Sequence, residues 1–167
     1  MAIMSSRLIR HEICKDELRQ MGARVISIQG VVYWVKFELQ GIEISYAYHI
    51  IEDNTYYLER IKPYFMNIGH YTYEEEIVDV IRIDVDQFKN AMRSSNFDHF
   101  IEVDGHISKL VRIFEDLFMY YNIDKADLAR LDASVDGVLE DIKDIMKHST
   151  RVYTMKDPEV LKENIEF

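Results

Sequence analysis

A chain of 167 residues that is 48% apolar, with 11 Tyr, 8 Phe and 8 Met but only 6 Gly and 2 Pro, can build one hydrophobic core. It is not a disordered or low-complexity protein. A single domain over residues 1–167 is expected, burying roughly 70% of its unfolded surface without disulfides or metals as staples. The net charge of −10 disfavours binding to nucleic-acid phosphates or anionic lipid and leaves room for a basic protein partner.

The only cysteine, Cys14, excludes an internal disulfide and fits a reducing compartment, so a cytoplasmic location is expected. The first twenty residues scatter charges through their apolar positions, unlike a signal peptide. No stretch has the length and apolarity to span a membrane, and no membrane association is expected.

In chain order, residues 6–21 place Leu8, Ile9, Ile13, Leu18 and Met21 at roughly helical spacing, with Gly22 as a stop. This helix is expected to lay its apolar stripe on a sheet. His11 and Cys14 sit three apart on it, but with no third partner in the sequence Cys14 is read as a buried core residue.

The sheet is announced by a repeated turn. Ile28-Gln29-Gly30-Val31 and Leu39-Gln40-Gly41-Ile42 each join runs of alternating apolar residues, which reads as an antiparallel β-meander of three to four strands. A two-residue Gln40-Gly41 loop pairs Leu39 with Ile42, Phe37 with Ile44, Val35 with Tyr46 and Tyr33 with Tyr48, so both apolar sets share one face. A Gln29-Gly30 loop would add an earlier strand through Ile26 and Ile28. Under this register the other face sets Trp34 opposite Ala47 and His49 opposite Val32. Trp34 and His49 are therefore candidate binding residues, unless a helix covers them. A further strand, Thr55–Lys62, follows an Asp53-Asn54 turn, and its two faces do not separate by polarity.

The sheet-containing part extends to about residue 83 and the helical part covers about 84–167. Residues 73–83 are ambiguous, because Thr72-Tyr73-Glu74-Glu75 has capping-box spacing while Ile77–Ile83 is rich in β-branched residues. Asp84 is read as the cap of a short helix through Val85, Phe88 and Met92, and Asp104 as the cap of a longer one. In the latter, Ile107, Leu110, Val111, Phe114, Leu117, Phe118 and Tyr121 occupy positions a, d and e of successive heptads. Leu128 to Met146 repeat the pattern after a short connection. The two form a helical hairpin, and the filled e positions argue for packing against the same chain rather than in a thin coiled-coil dimer seam. Asp157-Pro158-Glu159 opens a last short helix. The expected fold is α+β, with an N-terminal helix, an antiparallel meander and a C-terminal helical hairpin with short flanking helices.

Three clusters bear on chemistry. Asp98, His99, Glu102, Asp104 and His106 offer the side chains that bind zinc or non-haem iron. Their spacing does not set two ligands on one helical face as H-E-x-x-H does, which leaves His99, Glu102, Asp104 and His106 as weak metal candidates. Asp79, Asp84 and Asp86 are the right side chains for Mg²⁺, without a Gly-rich phosphate loop or lysine to accompany them. Asp132, Asp136, Glu140 and Asp144 recur every four residues and line one helix edge. Each such like-charge pair costs on the order of 0.2–0.5 kcal/mol in an isolated helix, so the row is either an ordinary solvated face or a ridge kept for a basic partner.

No catalytic residue and no cofactor is assigned. The expected function is a non-enzymatic interaction domain of inhibitor, immunity or adaptor type, using the acidic helix or the Trp34 and His49 face. The alternative is a small-ligand-binding or metal-dependent enzyme with its site near Asp98–His106 or Trp34.

Overall fold

The computed structural model describes residues 2–26, 30–51 and 54–158, the side chains of 2–7 excepted. Its sheet is organised by the Gln40-Gly41 turn. Both residues have positive φ, 51° and 83°, the backbone that matches a two-residue hairpin loop to the right-handed twist of its strands. The strands it joins are β1 (Val32–Leu39) and β2 (Ile42–Ile50). Their register is the expected one throughout, from Leu39 opposite Ile42 to Trp34 opposite Ala47 and Val32 opposite His49. Two more antiparallel strands follow, β3 (Tyr56–Lys62) and β4 (Met66–Tyr71), giving a four-stranded meander in the order β1-β2-β3-β4.

The N-terminal helix α1 (Ala2–Gln20) precedes the sheet, and α2 (Glu74–Ala91), α3 (Phe97–Tyr120) and α4 (Lys125–His148) follow it. The class is α+β, as expected. Among the described residues no helix is long and apolar enough to cross a membrane.

The core lies between one face of the sheet and α2. Ile77, Ile81, Val85 and Phe88 fall on one side of this helix and bury against Ile44, Tyr46, Tyr48 and Leu58. This settles residues 73–83. They begin a helix whose cap is Tyr73, with the Tyr73 N–H donating to the Glu76 carboxylate at 2.8 Å, one residue later than the expected capping box. Glu74, Glu75 and Glu76 in the first turn also suit the positive end of the helix dipole.

Several expectations are corrected. Asp84 lies inside α2 and Asp104 inside α3, and neither is a cap; α3 starts after Asn96 and α4 after Asp124. Asp124 does cap, accepting from the Asp127 N–H at 2.8 Å. The α1 helix forms, but Leu8, Ile9, Ile13 and Leu18 are exposed. At about 100° per residue these positions spread around the helix instead of forming a stripe, and it is α2 that packs on the sheet. Cys14 is likewise exposed. Ile26 belongs to no strand. Ser27, Ile28 and Gln29 lie outside the described residues, as do Asp53 and the chain from Glu159, where the last helix is expected. Strand β4 occupies a stretch for which no element is expected.

Candidate functional site

Three regions present side chains for chemistry or recognition. The first is a buried polar cluster. Arg60, on the core face of β3, has a side chain 3% exposed, and its Nη1 donates to both oxygens of Asp84 at 2.8 Å. The Tyr46 hydroxyl donates to the same carboxylate at 2.7 Å. The guanidinium carbon lies 4.3 Å from the Tyr64 ring centre and 4.9 Å from that of Phe88, a cation–π sandwich. Burial, and then the Asp84 carboxylate, raises the Tyr46 phenol. The cluster ties β2 and β3 to α2. It also disperses the aspartate trio: Asp84 points inward to Arg60, Asp79 pairs with Arg82 at 2.6 Å, and Asp86 accepts from the Tyr153 hydroxyl at 3.1 Å.

A second tyrosine anchors the start of α2. The Tyr48 hydroxyl donates to Glu74 at 2.7 Å, and burial followed by Glu74 pushes this phenol from 10.0 up to about 12. The folded state holds the proton more tightly than the unfolded chain does. The Tyr48 contribution is therefore whole below the unfolded value of about 10 and is lost as the pH rises through about 12. Urea-unfolding stability measured against pH is expected to fall above that unfolded value. The Tyr48→Phe variant is expected to flatten the fall and to lower the neutral-pH stability by about 1 kcal/mol, the worth of the lost hydrogen bond.

The second region is the sheet face opposite α2. Trp34 is 53% exposed, with the Lys36 ammonium 6.0 Å from its ring. His49 packs edge-on against Tyr57 at 5.8 Å, and Tyr57 against His70 at 4.9 Å. Sequence reasoning found Trp34 and His49 but missed Tyr57 and His70, because the faces of β3 do not separate by polarity and a bulge between Leu58 and Glu59 shifts the β3–β4 register before it reaches His70. On the core side, an open groove of about 690 Å³ runs between β1 and α2. It is lined by Val35, Phe37, Ile77 and Ile81, with Tyr153 and Met155 from the segment after α4.

The third region is the pair of long helices. An aromatic cluster roots α3 in the core, with Phe97 buried and 6.3 Å from Phe88, and Phe100 5.6 Å from Tyr64. From Phe100 onward the apolar stripe of the helix is exposed. Phe100, Val103, Ile107, Leu110 and Phe114 follow a strict three-four spacing and are all exposed. Helix α4 continues the pattern with Leu128, Leu131, Val135, Val138, Ile142 and Ile145, and none of its residues is buried. The two long helices and their short connection, residues 121–124, are as expected, and Tyr153 returns to Asp86 on α2. Its burial is not. Among the described residues the extensive packing is confined to the sheet and to α2 on β3 and β4, so the filled e positions do not mark packing within the chain.

The acidic row of α4 occupies heptad positions distinct from that seam: Asp136, Glu140 and Asp144 sit at b, f and c, with Asp132 at e. All four are exposed. Glu140 pairs with Lys143 at 2.8 Å, which holds its carboxyl below the usual range, first through the hydrogen bond and then through the charge. His99 and Glu102 pair with each other on α3 at 3.2 Å, with half-buried Asp104 and exposed His106 further along. Among the described residues no group of three or more His, Cys, Asp or Glu side chains converges to hold a metal ion.

The fold and these surfaces define an α+β protein whose two long C-terminal helices carry apolar stripes that the described residues leave exposed. Comparison with protein-family models, with curated proteins and with solved structures finds no match.

Proposed function

We propose that this chain is a non-enzymatic protein-interaction module in which the sheet and α2 form the scaffold and the α3–α4 hairpin is the docking element. One observation carries the reading: α4 repeats apolar residues at coiled-coil spacing over its whole length, yet buries none of them. A monomer does not usually expose an apolar surface of this continuity unless it is a site of association. The acidic row and the Trp34 and His49 face are the secondary surfaces of the same module. They would orient a partner rather than supply most of the binding energy, because charge at a rim steers association while desolvated apolar anchors hold it.

Affinity capture tests this, using the tagged chain co-expressed with an untagged copy in its native lysate. Whatever is retained is expected to survive a wash at about 0.5 M salt, where surface charge is screened within a few Å. It is expected to be lost from a Val138→Asp, Ile142→Asp variant and kept by Asp136→Lys, Glu140→Lys. Retention of nothing, second copy included, would overturn the proposal.

The alternative of a small-ligand-binding protein draws on the groove between β1 and α2, whose volume of about 690 Å³ falls within the range of small-molecule sites.

A further inference from the structure

We infer that the groove between β1 and α2 binds a single-chain amphiphile with an anionic head, a fatty carboxylate, with the tail along the groove and the head between Lys89 and Arg93. This goes beyond the docking role proposed above and does not depend on it, because it uses no residue of α3 or α4.

The tail site follows from where α2 sits. The helix packs closest on β3 and β4, which leaves the core face of β1 as one wall of a groove and the side of α2 as the other. Val35 and Phe37 come from the strand, Ile77, Ile81 and Val85 from the helix. From Ile77 to Lys89 the helix rises about 18 Å, so the groove offers an elongated apolar guest a continuous bed. Its volume of about 690 Å³ suits one small molecule.

The head site is electrostatic. At its Lys89 end the groove continues into a polar hollow of about 250 Å³ that Lys89, Asn90, Arg93 and Thr154 help to line. The two spaces share Asp86, Lys89, Tyr153 and Met155. Neither Lys89 nor Arg93 forms an ion pair among the described residues. For Lys89 the reason is visible. An acid three residues before a base closes an ion pair at Asp79–Arg82, Asp127–Arg130 and Glu140–Lys143, at 2.6, 2.9 and 2.8 Å. Asp86 stands at the same spacing from Lys89 but accepts from the Tyr153 hydroxyl at 3.1 Å.

Tyr153 is presented by a segment folded on itself. Arg151 donates to the Tyr153 and Lys156 carbonyls at 2.8 Å each and pairs with Asp157 at 2.9 Å. The hollow is thus left with two unpaired cations and one carboxylate that is already engaged. Its positive charge stands apart from the acidic surplus of the chain, since residues 97–146 hold 12 Asp and Glu against 5 Lys and Arg. An apolar bed that ends in a positive hollow complements an apolar tail that ends in a carboxylate.

The experiment is titration calorimetry of the purified full chain with decanoate, decyltrimethylammonium and decanol, each below its micelle and solubility limits. Decanoate is expected to bind tightest, at one per chain. Lys89→Glu with Arg93→Glu, both at exposed positions, is expected to weaken decanoate about tenfold or more, the worth of a charge-assisted contact, and to leave decanol unchanged. Val78→Asp with Met155→Asp, also exposed and lining the groove, is expected to abolish binding of both, with the core intact by near-UV circular dichroism. Val138→Asp with Ile142→Asp is expected to keep both, which separates the groove from the exposed stripe of α4. Decyltrimethylammonium bound as tightly as decanoate overturns the anionic head. Decanoate binding that survives the groove pair but is lost with the α4 pair overturns the site. No binding of decanoate overturns the inference as a whole and leaves the docking role standing.

Discussion

Replacing Arg60 by alanine is expected to cost about 3 kcal/mol of folding stability, read as a lowered urea midpoint at unchanged slope. The loss has a specific origin. Asp84 accepts from Arg60 and Tyr46, and without the guanidinium its carboxylate stays against the core with only the phenol as partner. Breaking one side of a buried ion pair costs about 3–5 kcal/mol. The lower end applies because the Asp84 side chain is 18% exposed and some solvent reaches it. Removing the whole cluster tests the cause. The triple variant Arg60→Met, Asp84→Leu, Tyr46→Phe is expected to recover most of the loss, because apolar groups of similar volume carry no uncompensated charge. If the triple variant were as unstable as Arg60→Ala, most of the cost would come from the lost packing of the guanidinium between Tyr64 and Phe88.

The second large effect separates the core from the arm. Ile44 is fully buried on β2, and Ile44→Ala is expected to destabilise the chain by about 3 kcal/mol, the sum of lost transfer energy and the cavity left behind. Ile142 is just as apolar but sits exposed on α4. Measured at low concentration, Ile142→Ala is expected to cost less than about 0.5 kcal/mol, as for a surface substitution. Guanidinium unfolding of both variants at two protein concentrations makes the comparison. A large cost for Ile142→Ala that does not depend on concentration would mean that α4 packs within its own chain. A cost that grows with concentration belongs to the assembly, because only the associated form buries that side chain.

Where the sequence was legible, it was because the relevant physics is local. Alternation through Val31–Ile50 and the Gly41 turn determine the register of β1 and β2 residue by residue, since a slip of one position would reverse both faces. Residues 77–83 resisted because β-branched residues suit either element. What decides for helix is the side chains at 77, 81, 85 and 88, which meet the sheet only when wound at helical spacing. Strand β4 was illegible because Met66–Tyr71 contains Asn67 and Gly69 and no clean alternation; it is held by its pairing with β3. Asp84 misled for a related reason. An Asp preceding periodic apolar residues resembles a cap, and its partner Arg60 is 24 positions away.

The candidate surfaces divide in the same way. The register alone sets Trp34 over Ala47, and the heptad spacing alone places one apolar stripe on each long helix with the acidic row mostly off it. Periodicity specifies a face because successive side chains turn by a constant angle, a property of the segment itself. Whether a face is covered depends on which other elements reach it, and only the tertiary structure decided that. Helix α2 took the sheet face in place of α1, because its apolar residues gather on one side while those of α1 scatter. The apolar stripes of α3 and α4 stay exposed among the described residues, because the last fully buried core residue is Phe97 and no described element packs extensively on either helix beyond it.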